Sequence, residues 1–124
     1  MAKPTAAKPS KAERKSSHGK VRRAKLTDLP AILQLEQESF QDYRQASPAS
    51  LRRSLTSKHQ SFWVIDHPNR KGLSSLLVLW HFPKRTRVYD ICTAPDARGH
   101  GHGYQLMLHA EKLARQQKAE WMSL

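Results

Sequence analysis

Three strand-like segments follow one another in the middle of the chain with only short turns between them, and this run limits the possible folds more than any other feature. Residues 61–66 (SFWVID) and 73–82 (LSSLLVLWHF) are rich in aliphatic and aromatic residues, and the intervening HPNRKG is typical of a turn. A second turn predicted at residues 83–86 leads to the third segment, residues 87–94 (RVYDICTA). We expect a mixed and mainly antiparallel sheet.

Helix-like patterns lie on both sides of this run. Residues 21–26 can form a short strand, and Thr27 or Asp28 can then cap a first helix with Pro30 in its first turn. Residues 41–47 are predicted as a loop and residues 48–57 as a second short helix. The apolar positions of the first helix are Leu29, Ile32, Leu33, Leu35 and Phe40.

A third helix is predicted from Tyr104 to about Lys118, where apolar residues recur at helical spacing, and residues 121–124 begin a further strand. The apolar face of this helix is Leu106, Met107, Ala110, Leu113 and Ala114. With 124 residues in all, the alternation of strands and helices predicts one α/β domain over residues 21–124, preceded by a separate segment over residues 1–20.

The composition indicates the cellular compartment in which such a domain is expected. Its longest strongly apolar run, residues 76–80, is far too short to span a bilayer, so a soluble chain without a membrane partner is expected. The single cysteine, Cys92, excludes an intramolecular disulfide, and nothing in cysteine usage favours an oxidising compartment. We therefore expect a reduced, cytoplasmic location.

Positive charge is concentrated at the start of the chain. Residues 1–25 hold nine Lys and Arg against one Glu, a net charge of +8, whereas residues 26–124 hold 13 basic and nine acidic residues, a net charge of +4. Residues 1–20 have almost no aliphatic residue larger than alanine, so they are predicted to be disordered. Two interpretations stay open: a solvated basic tail, or contact of this tail with nucleic acid or ribosomes.

Glycines occupy alternate positions between the third strand and the last helix, in the stretch PDARGHGHGYQLM of residues 95–107. A helix start exposes backbone N–H groups and the positive end of the helix dipole, and glycines let an anion approach them. Arg98 adds a fixed charge that suits a phosphate. The spacing fits neither the dinucleotide fingerprint nor the P-loop, so a phosphate-binding loop and a glycine hinge without a ligand are both possible.

The run from Thr93 to Met107 resembles the acetyl-CoA-binding segment of the GNAT superfamily of N-acetyltransferases. The family motif R/Q-x-x-G-x-G/A is matched by Arg98, Gly101 and Gly103, and Gly99 completes a common Arg-Gly pair. The order of the upstream strands and helices is also similar, so the resemblance covers about residues 21–124. It implies the α/β (α+β mixed-sheet) acyl-CoA N-acyltransferase fold, with a sheet splayed near its fourth and fifth strands.

The resemblance also implies where acetyl-CoA would lie. Its pantetheine arm would pair with the backbone of Ile91, Cys92 and Thr93 like an added strand, and its pyrophosphate would sit on backbone N–H groups of the glycine loop. The predicted cofactor-binding residues of that loop are Arg98, Gly99, His100, Gly101, His102, Gly103 and Tyr104. His100 and His102 would line the loop and add positive charge at low pH.

Acetyl transfer to an amine requires a general base near the attacking nitrogen. Asp90 is the predicted base, because it lies on the strand where many members of the family carry an acid; an ordinary exposed aspartate is the alternative. Glu36 and Tyr43 lie on or after the first helix, in the region that shapes the acceptor site of the family, and are predicted to contact the substrate.

Two positions depart from the family pattern, and the sequence also stops early. His102 stands where an aliphatic residue is usual, and Thr93 stands where valine is usual. The sequence ends just inside the expected fifth strand, so we expect an incomplete domain whose thiolate-protonating tyrosine would follow residue 124.

The remaining histidine, cysteine and tryptophan residues have simpler interpretations. His100, His102 and His109 are close in sequence, but no carboxylate or cysteine completes a recognised metal spacing, so we predict no metal. Cys92 is expected to pack as a small buried apolar residue. The tryptophans, which are Trp63, Trp80 and Trp121, are expected to pack the sheet rather than to stack on bases.

Together these observations predict an N-acetyltransferase that moves the acetyl group of acetyl-CoA to a primary amine of a protein or small molecule, by direct attack on the thioester. Two alternatives stay open: a small basic protein associated with nucleic acid or ribosomes, and a non-catalytic CoA-binding fragment. The sequence does not identify the amine.

Overall fold

The computed structural model describes residues 19–39 and 47–123, which form one five-stranded mixed sheet with three α-helices. The strands are β1 (Val21–Arg23), β2 (Gln60–Asp66), β3 (Leu73–Phe82), β4 (Arg85–Thr93) and β5 (Trp121–Ser123). The helices are α1 (Leu29–Ser39), α2 (Pro48–Thr56) and α3 (His102–Gln116). Single 3₁₀ turns over Leu26–Asp28 and Pro95–Ala97 lie between β1 and α1 and between β4 and α3.

The strands lie in the order β1-β2-β3-β4-β5. The neighbours β2, β3 and β4 are antiparallel, as the short turns between them predict. β1 is also antiparallel to β2, although α1 and α2 separate the two strands in the chain, and β5 follows the α3 crossover and is parallel to β4. This last ladder includes only residues 85–87 of β4 and residues 121–123 of β5. Beyond residue 87, the outer edge of β4 pairs with no strand among the described residues.

Helices cover both faces of the sheet and bury two apolar cores. On one face α1 and α2 pack with alternate residues of β2, β3 and β4, and on the other face α3 packs with the intervening residues. The first core includes Ile32, Leu35, Leu51, Phe62, Leu76, Val78 and Cys92. The second core includes Ile65, Leu77, Leu79, Val88, Leu106 and Ala110. Within the described ranges, every helix is too short or too polar to cross a bilayer.

A bulge in β3 places two serines side by side. Ile65 pairs with Ser75 and Asp66 pairs with Leu73, so Ser74 is an extra residue between them. The hydroxyl oxygens of Ser74 and Ser75 are 3.1 Å apart, and both side chains are buried. The strand therefore carries two adjacent polar groups inside an otherwise apolar segment.

A second bulge, in β4, places an aromatic ring beside a carboxylate. Leu79 pairs with Val88 and Val78 pairs with Asp90, so Tyr89 is the extra residue. Tyr89 and Asp90 both line one cleft on the face covered by α1 and α2. The bulge thus breaks the alternation that would send these neighbouring side chains to opposite faces.

Several predicted boundaries are corrected by the structure. The first strand ends at Arg23, and neither Thr27 nor Asp28 caps α1. The Asp28 carboxylate instead accepts the Lys25 N–H at 2.7 Å and both Arg22 Nη atoms at 2.9 Å, which stabilises the 3₁₀ turn that ends the strand.

The boundaries of the later elements are also shifted. Helix α3 begins two residues before the predicted Tyr104, and Lys118, at φ 59°, lies outside it. Strand β4 covers residues 85–93 rather than 87–94, so the turn that precedes it is shorter than predicted. The bounds of α2 and β3 agree closely with the prediction. The predicted basic tail up to residue 18 and the predicted loop up to residue 46 lie outside the described residues.

Candidate active site

A glycine loop leads from the end of β4 into α3. Gly99 at φ +89° and Gly101 at φ +77° have the left-handed backbone that side chains other than glycine disfavour. A Cβ atom at either position would meet nothing within 4 Å, so both positions border open space. A backbone bond runs from the Gln105 N–H to the Gly101 carbonyl at 3.0 Å, and the N–H groups in the first turn of a helix have no acceptor within the helix itself.

Charge at this loop comes from the helix dipole and from exposed side chains. Arg98 and His100 are exposed, and Tyr104 in the first turn of α3 is 70% exposed. The Arg98 Nε also donates to the Thr93 carbonyl oxygen at 3.4 Å, which connects the loop to the end of β4. The positive helix end together with Arg98 makes this corner suitable for a phosphate group.

The prediction that the His102 side chain lines the loop is wrong. The side chain is 1% exposed, because it turns inward against the sheet. Its Nδ1 is hydrogen-bonded to the hydroxyl of Ser74, and the bonds continue through Ser75 to the Thr93 hydroxyl, with 3.1 Å between oxygens at each of these later steps. The two departures from the family pattern, His102 and Thr93, are therefore the ends of one hydrogen-bond chain.

A charged cluster holds the turn that precedes the loop. The Asp96 carboxylate accepts from Arg70 Nε at 2.9 Å and is hydrogen-bonded to His67 Nε2 at 3.0 Å. Arg70 also reaches Glu38 of α1 at 3.3 Å. Arg70 and His67 hold the pKa of Asp96 well below its usual range. These contacts join the β2–β3 turn, α1 and the glycine loop, and so fix the position of the loop.

The second half of β4 carries the three residues predicted to pair with the pantetheine arm. Cys92 packs in the core under α1 and α2, whereas Ile91 packs toward α3. Burial, reinforced by Asp90, raises the pKa of the Cys92 thiol to about 12, so the sulfur stays protonated and apolar as predicted. The part of this strand that can meet a ligand is its outer backbone edge.

Asp90 and Glu36 form a pair of carboxyl groups on the face covered by α1 and α2. Glu36 is 5% exposed and Asp90 is half-buried, so the alternative of an ordinary exposed aspartate does not hold. Burial and the neighbouring Asp90 raise the pKa of Glu36 to about 7. Burial also raises the pKa of Asp90, and the hydrogen bond from Glu36 opposes that rise. Below about pH 7, Glu36 therefore holds a proton that it donates to the Asp90 carboxylate.

The carboxyl pair lines a cleft of about 140 Å³ between the sheet and the helices α1 and α2. Phe62, Trp80 and Tyr89 line the same cleft. The rings of Trp80 and Tyr89 are stacked, with centroids 4.5 Å apart and planes 5° from parallel. The cleft thus combines aromatic side chains with an acidic pair, next to the free edge of β4.

The sequence-predicted site residues are brought together only in part. Glu36 and Asp90 were predicted separately, for substrate contact and for base catalysis, and sequence analysis missed that they touch. The stack of Trp80 on Tyr89 was missed as well. Tyr43 lies outside the described residues.

The histidines do not gather around one point. His109 packs edge-on against Trp63 with ring centroids 4.4 Å apart, while His102 is bonded to Ser74. Across residues 19–39 and 47–123, no group of three or more His, Cys, Asp or Glu side chains is arranged to hold a metal ion.

The sheet order and the glycine loop at a helix start are those of an acyltransferase fold. The profile of the acetyltransferase (GNAT) family matches residues 29–124, and the chain belongs to that family. Among curated proteins, none matches the sequence closely enough to count as a relative.

Solved structures share this fold at low sequence identity. A candidate acetyltransferase from Agrobacterium tumefaciens is 19% identical with a TM-score of 0.75, over 85% of this chain and 80% of that protein. The ribosomal-protein-S18-alanine N-acetyltransferase of Escherichia coli is 17% identical with a TM-score of 0.67, over 80% of this chain and 61% of that enzyme. Rv2747 of Mycobacterium tuberculosis, solved with CoA and NLQ, is 24% identical with a TM-score of 0.66, over 81% of this chain and 60% of that protein.

Proposed function

We propose that this chain transfers the acetyl group of acetyl-CoA to a primary amine. The observation that carries the proposal is the arrangement of three features around the second half of β4. The glycine loop follows its end, its outer edge faces no described strand, and the Glu36–Asp90 pair lies on one of its faces. Membership of the GNAT family supports the same reaction class.

Acetyl-CoA fits the residues that are present. The open space over Gly99 and Gly101 admits a pyrophosphate close to the N–H groups of Gly103 and Tyr104 in the first turn of α3. The free edge of Ile91 to Thr93 suits the amide groups of a pantetheine arm, which would add to the sheet as a short strand does. When bound, acetyl-CoA supplies the activated acetyl thioester.

The carboxyl pair serves as the proton acceptor. An alkylammonium carries no lone pair, so it must lose a proton before its nitrogen attacks the thioester carbonyl. The pair at Glu36 and Asp90 carries a shared proton and a negative charge, and its raised pKa brings it near the neutral range in which a general base is most effective. We assign the proton transfer to the pair rather than to Asp90 alone.

Calorimetric titration with acetyl-CoA tests the cofactor assignment. We expect micromolar binding by the chain and its loss in the Arg98→Ala, Gly101→Ala double variant, because the variant lacks a phosphate contact and strains the loop. Arg53→Ala, which removes an exposed arginine of α2 far along the chain from the loop, should bind like the parent. Absence of binding by a chain that unfolds cooperatively would refute the assignment.

An acetylation assay with a panel of primary amines distinguishes catalysis from binding alone. Turnover of at least one amine, lost in Asp90→Asn, is the expected result. Tight acetyl-CoA binding without acetylation of any amine would instead favour the non-catalytic CoA-binding module.

A further inference from the structure

The cleft beside β4 has polar atoms that the protein itself leaves unpartnered. Oε1 of Glu36 and Nε1 of Trp80 are both buried without a hydrogen-bond partner, and both residues line the cleft. Glu36 is more than nine-tenths buried. An unsatisfied buried acceptor costs free energy unless a ligand pairs with it, so the cleft is built to receive a hydrogen-bond donor at Glu36.

The charge of the cleft identifies the donor as a cation. Among the described residues that line the cleft, Glu36 and Asp90 are the charged ones and none is basic. This acidic site lies in a chain whose formal net charge is +12. A protonated amine offers three N–H donors and one positive charge, which satisfies both the free Glu36 oxygen and the negative charge of the pair.

The size of the cleft limits what surrounds that amine. Its volume of about 140 Å³ is well below the roughly 300–1,000 Å³ of pockets that enclose a drug-sized ligand. A slender, unbranched aminoalkyl end suits so small a cleft better than a sugar ring or a branched peptide terminus does.

The walls of the cleft match the same ligand. Phe62, Trp80 and Tyr89 present aromatic surface, on which methylene groups pack and beside which an ammonium group is attracted by the ring electrons. Tyr89 is 55% exposed, so the stacked pair continues from the cleft to the protein surface. A thin apolar stem can therefore follow the aromatic rings inward to the carboxyl pair.

From these features we propose that the cleft binds a primary ammonium group at the end of an unbranched alkyl chain. The proposal rests on the proposed function insofar as this amine is the acetyl acceptor. Such a group occurs both on the lysine side chain of a polypeptide and on a free diamine, and the α-amino group of a peptide does not have this form.

The transfer balances with one proton released. The ammonium gives one proton to the carboxyl pair, and the nitrogen lone pair forms the C–N bond with the thioester carbonyl carbon. The C–S bond breaks, and the thiolate takes up the second N–H proton. The products are the N-alkyl acetamide and free CoA, and the proton held by the carboxyl pair returns to solvent.

Binding is tested without acetyl-CoA, so the result does not depend on the proposed reaction. In an NMR titration of the full chain, n-butylammonium should shift the Trp80 indole N–H resonance and backbone resonances around Asp90 in a saturable way. n-Pentanol, which has a similar length and no charge, should bind far more weakly. Non-saturable shifts, or equal binding of the two ligands, would overturn the proposal.

Matched variants locate the site. Glu36→Leu should weaken n-butylammonium binding by about tenfold, since it removes the unpartnered Oε1 acceptor that the ammonium would pair with. Trp80→Phe, a second and milder change, should weaken it by about threefold. Glu111→Gln, on exposed α3 surface, should leave the affinity unchanged. Unaltered binding in both cleft variants would overturn the assignment of the site.

Acetylation then distinguishes the sources of the amine. The substrates are a peptide with a blocked N-terminus and one lysine, 1,5-diaminopentane, and a lysine-free peptide with a free α-amino group. We expect kcat/KM for one of the first two to exceed that of the third by about tenfold or more, and the faster of the two identifies the source. Preference for the α-amino peptide, or acetyl-CoA binding without turnover of any of the three, would overturn the acceptor assignment. If acetyl-CoA itself does not bind, the proposed function fails and the titration still decides the amine site.

Discussion

The imidazole of His102 is buried at a position where an aliphatic side chain would make only apolar contacts, and it forms a hydrogen bond there instead. Its ring lies under the start of α3 and is bonded to Ser74, whose bulge position brings Ser75 and then Thr93 into the same chain of hydroxyl groups. Each of these polar groups is hydrogen-bonded to its neighbour in the chain. Removal of one group therefore takes a hydrogen-bond partner from a neighbouring group in the protein interior.

We predict that His102→Leu lowers the free energy of unfolding by about 1–2 kcal/mol, because it leaves the Ser74 hydroxyl with one partner fewer. Adding Ser74→Ala should cost less in this background than in the parent chain. Urea denaturation of the two single variants and the double variant measures this coupling, and strict additivity would contradict it. His100→Leu, at an exposed position two residues away, should change stability by less than about 0.5 kcal/mol.

Helix α3 begins where the backbone leaves the left-handed region. Gly101 at φ +77° is its N-cap, and Gly103 two residues later already has ordinary helical backbone. The two glycines thus have different roles although they belong to the same sequence motif.

We predict opposite effects of alanine at these two glycines. Gly101→Ala should destabilise the chain by about 1–2 kcal/mol, because a Cβ disfavours the left-handed conformation. Gly103→Ala should stabilise it by up to about 1 kcal/mol, since alanine favours a helix and its Cβ would meet only the Thr93 hydroxyl at 3.8 Å. Thermal unfolding followed by circular dichroism distinguishes the two, and equal effects would contradict the different roles.

The elements themselves are predictable from the sequence, whereas their irregularities are not. Apolar periodicity and turn residues suffice to place α2, β3 and the antiparallel run from β2 to β4, because these depend on local pattern and short connections. The bulges at Ser74 and Tyr89 depend on how each strand pairs with its neighbour, and that pairing is a tertiary property. For the same reason the sequence does not predict the contact of Glu36 with Asp90, which lie 54 positions apart. Two adjacent serines inside an apolar strand are, by contrast, a sequence signal for the irregularity in β3.

For the molecule as a whole, the buried carboxyl pair couples the candidate site to global stability. Glu36 ionises at an ordinary pKa of 4.5 when the chain unfolds, but at about 7 in the folded protein. Between these values the folded state binds more protons than the unfolded state, so this group lowers stability as pH rises. The destabilisation caused by Glu36 is complete above about pH 7, and it disappears below about pH 4.5, the pKa of this group in the unfolded chain.

We predict that Glu36→Gln becomes more stable relative to the parent chain as pH rises from about 4.5 to 7.5. Since one pKa unit corresponds to about 1.4 kcal/mol, the gain approaches about 3 kcal/mol at the upper end. Denaturation midpoints measured across this range, with Glu111→Gln as the exposed control, test the prediction. A stability difference that does not change with pH would show that Glu36 is not buried beside Asp90 in solution.

The positive charge of the whole molecule is concentrated in residues 1–25. The excess positive charge of residues 1–25 is compatible both with a solvated basic tail and with contact to nucleic acid or ribosomes, and these interpretations, like the cytoplasmic location, stay predictions from the sequence. The first described residue, Gly19, accepts a hydrogen bond from Gln105 of α3 at 2.9 Å. The basic segment therefore joins the domain close to the glycine loop.

The extra residue in β4 has a consequence for how this protein can evolve. Val88 and Asp90 pair with consecutive residues of β3, so Tyr89 is the bulge residue and does not affect the pairing register of β4. Replacement or loss of this one residue would remodel the aromatic wall of the cleft while the carboxylate of Asp90 stays on its face. If the cleft is the acceptor site that we propose, acceptor preference can diverge between descendants of this chain through changes at a single position, while the fold and the Glu36–Asp90 pair stay the same.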